Sequence, residues 1–210
     1  MSELKISRMV LGMCQTNCYF VYKEGSTRVL LFDPADNGKQ IYDTLKTKGF
    51  EIVAILLTHG HFDHILGCNE LKEVAGVKTY ACESEKVLFE DTDKNVSAQI
   101  GRPYTVKIDH YMKDLDVITL EGMKIQMIHT PGHTIGSCCY YFLEDNLLIS
   151  GDTLFEGSVG RTDLPTGSMS ALNRSIREKL AVLPGEVKIY PGHGDSSTME
   201  HEMKYNPYCQ

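Results

Sequence analysis

Three imidazoles and one carboxylate lie within a single short segment, directly after an apolar run. The segment reads Leu56-Leu57-Thr58-His59-Gly60-His61-Phe62-Asp63-His64. In an extended chain His59 and His61 project to the same side. Asp63 and His64, on entering the helix that follows, can face a second point nearby. One segment can therefore provide ligands for two metal ions.

Three more residues of ligand type each stand beside a glycine at the end of a predicted strand. They are His133 in Pro131-Gly132-His133, Asp152 in Gly151-Asp152-Thr153, and His193 in Pro191-Gly192-His193. Glycine lets the backbone turn sharply, and loops at strand ends are where a rigid scaffold usually carries its functional side chains. One such turn alone is more often structural, but three of them together with the histidine cluster predict a metal site.

The residue types indicate which metals and which chemistry to expect. Neutral imidazole and carboxylate suit zinc, iron or manganese, and the ligand motifs contain no thiolate. Two cations about 3.5–4 Å apart can share a water molecule and lower its pKa toward about 7, which produces a bridging hydroxide at neutral pH. We expect two divalent ions, zinc first, with Asp63 as the catalytic residue that orients the nucleophile as well as binding metal.

The segment from His59 to His64 resembles the H-x-H-x-D-H signature of the metallo-β-lactamase superfamily, and the later His, Asp and His motifs follow in matching order. Gly151-Asp152-Thr153-Leu154-Phe155 and Pro191-Gly192-His193 look most like its glyoxalase II-like branch, in the short single-domain form. The resemblance covers nearly the whole chain. It implies an α/β fold, a four-layer αββα sandwich of two mixed sheets with helices outside, as one domain over residues 1–210.

The resemblance also implies how the ligands divide between two metals. His59, His61 and His133 would hold one ion. Asp63, His64 and His193 would hold the other, and Asp152 would bridge the two. The implied site lies in a cleft at one edge of the sandwich.

The activity implied by this branch is hydrolysis of S-lactoylglutathione or a related hydroxyacyl thioester. Arg161 falls where the family has a basic residue that contacts glutathione, so we predict that it binds substrate. Asp163 and Asp195 stand where longer members have tyrosines, and little chain remains after Tyr208 for their C-terminal helical domain. We therefore expect a small thioester or ester substrate, with the acyl group and the thiol carrier left open.

Two alternatives within the same fold stay open. A mononuclear iron persulfide dioxygenase, an oxidoreductase, looks similar through Gly160-Arg161-Thr162-Asp163, but such enzymes typically have Glu and Ala where this chain has Leu57 and Phe62. A lactonase or another ester hydrolase is the other alternative. A β-lactamase is disfavoured because no ligand cysteine follows the intact Asp63-His64 pair.

Asp33 is predicted to hold one of the imidazoles in place. A metal-binding imidazole normally donates its second N–H to a fixed acceptor, and Asp33 ends another predicted strand. The alternative is an aspartate that starts a turn before Pro34. The remaining histidines, His110, His129 and His201, lack such contexts and are expected to be structural.

Short apolar strands and amphipathic helices alternate along the chain and position these residues. Strands are predicted at 17–22, 28–32, 52–57, 116–120, 124–129, 137–142, 147–150 and 186–190. Helices are predicted at 38–48, 67–74, 83–91 and 168–183, the last with Ser168 as its N-cap. Residues 93–104 have no clear period and are predicted to be a surface loop that borders the site. Each half runs strands first and a helix later, which favours two packed sheets.

Composition and charge exclude several classes of partner. The 210 residues carry a formal net charge of −7, which works against a nucleic-acid partner. The chain has no apolar run of about 18 residues to span a bilayer and no visible secretion signal. Seven scattered cysteines form neither a disulfide framework nor a metal knuckle, so we expect them to be reduced. We expect a cytoplasmic monomer or small homo-oligomer without a membrane partner.

Overall fold

A computed structural model describes residues 3–209. The N-terminal half of the chain forms the first of its two six-stranded sheets. Its strands, in spatial order, are β1 (Leu4–Leu11), β2 (Thr16–Lys23), β3 (Arg28–Phe32), β4 (Glu51–Leu56), β5 (Lys78–Cys82) and β6 (His110–Met112). The pairs from β1 to β3 are antiparallel, and the pairs from β3 to β6 are parallel. The sheet is therefore mixed.

The second sheet is also mixed and faces the first. Its strands are β7 (Val117–Leu120), β8 (Met123–His129), β9 (Cys138–Phe142), β10 (Leu147–Gly151), β13 (Lys188–Pro191) and β14 (Ser197–Thr198), and the spatial order is β14-β13-β10-β9-β8-β7. Only β10 and β13 pair in parallel. A small hairpin formed by β11 (Leu154–Phe155) and β12 (Ser158–Val159) follows β10.

Helices cover the outer face of each sheet. They are α1 (Gly38–Thr47), α2 (Phe62–Ile65), α3 (Cys68–Ala75), α4 (Lys86–Glu90), α5 (Met169–Ser175) and α6 (Met199–Tyr205). Ile41 of α1 and Leu71 of α3 are buried in the cluster behind the first sheet. Leu172 of α5 belongs to the equivalent cluster behind the second sheet. None of the helices in residues 3–209 is both long and apolar enough to cross a membrane.

A third apolar cluster fills the space between the two sheets. Phe32 of β3 packs against Tyr140 and Phe142 of β9, with ring centroids 5.5 Å and 6.1 Å apart. Burying one such side chain stabilises the fold by about 1.5–3 kcal/mol. Three clusters separate four layers, so the predicted αββα sandwich of two mixed sheets is confirmed.

The neighbouring cysteines of β9 point to opposite faces, as predicted. Cys138 lies in the cluster between the sheets, and Cys139 lies in the cluster under the helices. All seven cysteines are free thiols, and only Cys14 is exposed. The buried six act as small apolar side chains, in accordance with the scattered spacing.

Most predicted elements are present with ends shifted by no more than three residues, while several others were missed. The predicted helix 83–91 begins as a 3-10 turn, Glu83–Glu85, and the predicted helix 168–183 ends as a π-helical turn, Ile176–Leu180. The missed elements include the edge strand β1, the strand β5 and helix α6. β1 mixes apolar and charged residues and is only partly buried, so its pairing with β2 and not its own composition determines its strand structure.

Candidate metal centre

All seven predicted ligands lie at one edge of the sandwich. β8 and β13 both run parallel to β10, so their carboxyl ends meet at the same edge of the second sheet. His133, Asp152 and His193 follow these three strands. The histidine cluster follows β4 of the facing sheet. Bonds from Cys138 N to Thr58 O, at 2.9 Å, and from Tyr140 Oη to Leu57 O, at 3.0 Å, join the two sheets here.

The cluster contains a group of three imidazoles whose ring nitrogens converge. His61 Nδ1 lies 2.9 Å from His133 Nε2, and His133 Nε2 lies 3.2 Å from His59 Nε2. All three side chains are buried. Burial lowers the pKa of each, that of His61 to about 3, and the neighbouring imidazoles lower it further for His59 and His61. Three neutral imidazoles are therefore directed at one point.

A second group combines carboxylates with imidazoles. His193 Nε2 lies 3.3 Å from Asp63 Oδ2 and 3.4 Å from Asp152 Oδ2. Although burial opposes the imidazolium form, the carboxylates of Asp152 and Asp63 raise the pKa of His193 to about 10, and with Asp33 they raise that of His64 to about 9. Without a metal ion, these two imidazoles therefore carry the positive charge that balances the carboxylates.

Asp152 lies between the two groups. Its Oδ2 is 3.5 Å from His133 Nε2 and its Oδ1 is 3.4 Å from His64 Nε2. Burial raises the pKa of this carboxyl, but the neighbouring imidazoles outweigh it and hold the pKa at about 2. The ionised carboxylate is therefore within 3.5 Å of imidazoles of both groups, His133 of the first and His64 and His193 of the second, as a ligand shared by two sites must be.

The donor atoms of the cluster fit metal ions. Among the described residues, three subsets have donor atoms within 4.8 Å of one another; they are His59, His61 and His133; His59, His64 and Asp152; and Asp63, His64 and His193. Within the same residues, His61 Nε2, His64 Nε2 and Asp152 Oδ1 are buried without a hydrogen-bond partner. Leaving such atoms unpaired is costly, and a cation between His64 and Asp152 would satisfy both.

Fixed acceptors contact three of the imidazoles at Nδ1, the ring nitrogen that faces away from the centre of the site. His64 Nδ1 donates to Asp33 Oδ2 at 2.9 Å, which is the contact the sequence predicted for Asp33. His133 Nδ1 donates to the carbonyl oxygen of Arg161 at 2.7 Å. His59 Nδ1 lies 3.1 Å from Thr58 Oγ1, which itself donates to Asp33. These bonds leave the opposite nitrogens free to face the centre of the site.

A glycine next to His193 is required for the site to close. A Cβ atom on Gly192 would lie 2.1 Å from Asp152 Oδ1 and 2.7 Å from His64 Cε1. No side chain fits in that space. The Pro-Gly-His sequence thus places the backbone of one loop in contact with the residues of two others.

The site opens into a cleft of about 420 Å³ with an apolar wall. Phe62, Val96, Phe155 and Leu164 line it, together with residues of the metal cluster. Val96 belongs to the predicted loop 93–104, which borders the site as expected. Clefts of this kind, with an apolar wall and a few polar groups, bind small molecules.

Arg161 lines the cleft but its side chain is already paired. Its Nε and Nη2 atoms each donate to the carboxylate of Asp163 at 2.7 Å, and both side chains are largely exposed. The predicted substrate-binding role of this residue therefore stays a prediction. The histidines expected to be structural lie elsewhere: His110 stacks on Tyr80, and His201 packs on Tyr205.

Several residues around the site were missed from sequence. Thr16 donates from Oγ1 to Asp63 Oδ2 at 2.9 Å, and Cys14 lines the cleft. A polar Thr16-Asn17 pair at the start of an apolar strand was the available signal for the first. Glu85 is buried behind the site, but its neighbours in Glu83-Ser84-Glu85-Lys86 are all polar or charged, which is typical of an exposed segment, so the sequence gave no signal.

Comparison with known proteins identifies one family and relatives of similar length. The family model described as metallo-beta-lactamase superfamily matches residues 11–193. The chain is 37% identical over 207 residues to the Bacillus subtilis protein named probable metallo-hydrolase YqgX, covering 98% of this chain and 97% of that protein. It is 31% identical over 201 residues to the Haemophilus influenzae protein named hydroxyacylglutathione hydrolase GloC, covering 92% of each.

Two solved structures are similar over nearly the whole of both chains. The structure titled BLEG-1 B3 metallo-beta-lactamase has a TM-score of 0.92 and 35% identity, with 98% of this chain and 100% of that chain covered. The structure titled TTHA1623 in a di-iron-bound form has a TM-score of 0.84 and 33% identity, with 96% and 99% covered.

Proposed function

We propose that this chain, a metallo-hydrolase, hydrolyses hydroxyacyl thioesters of the glyoxalase II type. The chain belongs to the metallo-beta-lactamase superfamily, as its histidine motif indicated. The observation that carries the proposal is the complete cluster of seven His and Asp side chains at the mouth of an apolar cleft. The relative named hydroxyacylglutathione hydrolase supports the choice of a thioester.

The cluster has ligands for two divalent cations. His59, His61 and His133 would hold one, and Asp63, His64 and His193 would hold the other, with Asp152 as a ligand that both could use. Bound cations of this kind act as Lewis acids that acidify water and polarise a carbonyl oxygen. We propose zinc as the native metal with iron as the alternative, because the donor set suits either and a 33% identical relative is titled as a di-iron form.

Asp63 is the proposed catalytic residue among the ligands. Its Oδ2 accepts a hydrogen bond from Thr16 Oγ1 at 2.9 Å, which fixes the orientation of the carboxylate. Although burial opposes ionisation, His64 and His193 keep the pKa of Asp63 well below its usual value, so the group is ionised at neutral pH. An ionised, oriented carboxylate at the floor of the cleft can accept a hydrogen bond from the attacking water and direct it at the substrate carbon.

The cleft and Arg161 define the proposed substrate. The apolar wall of Phe62, Val96, Phe155 and Leu164 suits an acyl chain or the methylene groups of a thiol carrier. A carboxylate on the carrier can bind Arg161 only in competition with Asp163. We therefore propose a thioester whose carrier is not restricted to glutathione.

A second candidate is hydrolysis of a β-lactam amide. The observation that favours it is the 35% identity to the structure titled B3 metallo-beta-lactamase, which extends over 98% of this chain. Because of that likeness, the lack of a ligand cysteine after His64 is a weaker argument against this activity than the sequence alone suggested.

The test is a comparison of substrates on protein reconstituted separately with zinc, iron and manganese. S-Lactoylglutathione, a hydroxyacyl thioester of a carrier without carboxylates, and a chromogenic β-lactam are assayed for hydrolysis, and glutathione persulfide is assayed for oxygen uptake and sulfite. We expect thioester hydrolysis with kcat/KM at least about tenfold above that for the β-lactam. Asp152→Ala should abolish hydrolysis, while His201→Ala, on the surface, serves as the matched control.

Loss of all thioester hydrolysis under every metal would refute the proposal. Sulfite formation with oxygen uptake would instead support the dioxygenase, and preference for the β-lactam would support the second candidate.

A further inference from the structure

A buried carboxylate that the proposed chemistry does not use lies behind the metal cluster. Glu85 is 0% exposed and ends the 3-10 turn between β5 and α4. Its Oε1 accepts the backbone N–H of Gly60 at 2.7 Å, and its Oε2 accepts the backbone N–H of Gly136 at 2.7 Å. The side chain of Thr134 is a further hydrogen-bond partner of this carboxylate, and acidic side chains are almost never fully buried without such partners.

The two glycines belong to the loops that carry the three-imidazole group. Gly60 lies between His59 and His61 in the loop after β4. Gly136 lies three residues after His133 in the loop after β8. One carboxylate therefore connects the segment with two of these imidazoles to the segment with the third, across the gap between the sheets.

The segment from Glu85 to Leu88 packs so closely against both loops that neither Gly60 nor Gly136 could carry a side chain. A Cβ atom on Gly136 would lie 2.2 Å from Glu85 N and 2.5 Å from Glu85 Cα. A Cβ atom on Gly60 would lie 2.7 Å from Leu88 Cβ. The backbone of each loop thus rests directly on the segment from Glu85 to Leu88 and cannot come closer to it, while the bonds to the Glu85 carboxylate keep it from moving away.

A backbone bond also joins the two loops, at their bases. Cys138 N donates to Thr58 O at 2.9 Å, where β9 starts and the loop after β4 leaves the sheet. Glu85 acts beyond that point, next to the imidazoles themselves. Without it, the two loops would lose the bonds that hold Gly60 and Gly136 to one common group beside the imidazoles.

We propose that Glu85 is a positioning residue that sets the spacing between the His59-Gly60-His61 segment and His133, so that their ring nitrogens converge on one cation. The inference rests on the proposed metal site. It does not depend on which substrate is hydrolysed, because Glu85 contacts the loops that carry the metal ligands and does not contact the cleft.

A carboxylate is suited to this task because both partners are donors. Glutamine has the same shape but only one acceptor oxygen, and its NH₂ group would face the N–H of one glycine. Glu85→Gln should therefore release one loop without creating a cavity. Outer partners of metal ligands typically change metal affinity about 10–100-fold when altered, and we expect a loss of that size.

The experiment compares Glu85→Gln with Glu83→Gln, an exposed residue of the same turn. In metal-free protein, amide hydrogen exchange measured by NMR should be slow at Gly60 and Gly136 in the wild type and faster at one or both in Glu85→Gln. Zinc titration should show about 10–100-fold weaker binding of one of the two zinc ions in Glu85→Gln, with a changed absorption spectrum of the Co²⁺-substituted protein. Glu83→Gln should match the wild type in all three.

Unchanged zinc affinity and an unchanged Co²⁺ spectrum in folded Glu85→Gln would overturn the inference. If Glu85→Gln fails to fold, amide exchange in the wild type is compared with and without zinc. Zinc should slow exchange at Gly60 and at Gly136 together. Zinc binding without that effect would overturn the inference. Absence of thioester hydrolysis alone would contradict only the proposed substrate, whereas absence of zinc binding in the wild type would contradict both.

Discussion

The imidazole of His64 is in contact with three carboxylates that have different tasks. Asp33 accepts from its Nδ1 at 2.9 Å, on the side away from the cleft. Asp63 and Asp152 lie 3.6 Å and 3.4 Å from its Nε2, on the side toward the other ligands. Asp33 also accepts from the backbone N–H and the hydroxyl of Thr58. It therefore orients His64 and, through Thr58, His59.

Replacement of Asp33 by asparagine tests this orienting role. One oxygen of the carboxylate becomes an NH₂ group, which accepts no hydrogen bond, so at least one of the three donors from His64 and Thr58 loses its acceptor. We expect Asp33→Asn to retain metal about 10–100-fold less tightly, measured as metal content after dialysis against a graded chelator. Asp43→Asn, in an exposed pair with Lys39, is the control. Equal metal content in wild type and Asp33→Asn would contradict the assignment.

The Arg161–Asp163 pair leads to a prediction about substrate selectivity. Arg161 holds the pKa of the Asp163 carboxyl at about 2, so the carboxylate stays charged and competes for the guanidinium at neutral pH. Because the pair is exposed and thus weak, Asp163→Asn should lower KM for S-lactoylglutathione by about two- to fivefold, and Arg161→Ala should raise it. A thioester without carboxylates on its carrier should respond to neither change. Equal shifts for both substrates would exclude a role in carrier binding.

Sequence identified the residues with reactive side chains more readily than those that position them. The seven ligand candidates stand in motifs whose residue types and spacing already suit metal binding. Glu85 could not be found this way, because an acidic residue in Glu83-Ser84-Glu85-Lys86 is usually exposed. Only the fold shows that the turn lies under Gly60 and Gly136 and that the carboxylate is buried.

At the level of secondary structure, Asp109 joins three elements at the far end of the first sheet. Asp109 directly precedes β6. Its Oδ2 accepts hydrogen bonds from the backbone N–H and the hydroxyl of Thr79 in β5, at 3.0 Å each. The same oxygen lies 2.9 Å from Lys72 Nζ in α3. Although partial burial opposes ionisation, these bonds hold the pKa of Asp109 well below its usual value. The ionised form therefore stabilises the folded state.

Asp109→Asn should destabilise the metal-free protein by about 1–3 kcal/mol at pH 7, measured by urea unfolding. A lowered folded-state pKa contributes stability that is present above the usual value of 3.8 and is lost as pH falls toward the folded value. The difference between wild type and Asp109→Asn should therefore shrink as pH falls below 3.8. A difference that stays constant with pH would show that the ionised carboxylate is not responsible. Asp43→Asn again serves as the control.

Strong periodicity made some elements predictable, and tertiary pairing determined the rest. β3 and α1 have clear apolar patterns, and both begin where predicted. β5 and α6 are short and carry several polar residues. α6 is held in part by its buried residue Glu202, whose carboxylate accepts from the backbone N–H of Gly157 at 2.8 Å, a residue distant in sequence. Such elements cannot be predicted from local composition.

For the whole molecule, metal binding and fold stability should be coupled, because the ligands come from both sheets and converge only in the folded chain. At a free zinc concentration 100-fold above Kd, binding contributes about 2.7 kcal/mol. For a chain of this size, we therefore expect a chelator to lower Tm by about 5–10 °C, measured by calorimetry. Readdition of zinc should restore Tm, and calcium should not. A Tm that is independent of zinc would contradict binding by the folded state.

The number of metal ions bound per chain decides whether this is a dinuclear hydrolase, because the proposed hydrolysis requires both halves of the cluster to hold a cation. The measurement is elemental analysis of protein saturated with zinc and then freed of unbound metal. We predict about two zinc ions per chain, as expected of a dinuclear site. Retention of a single ion, or of none, would contradict a dinuclear site in this protein.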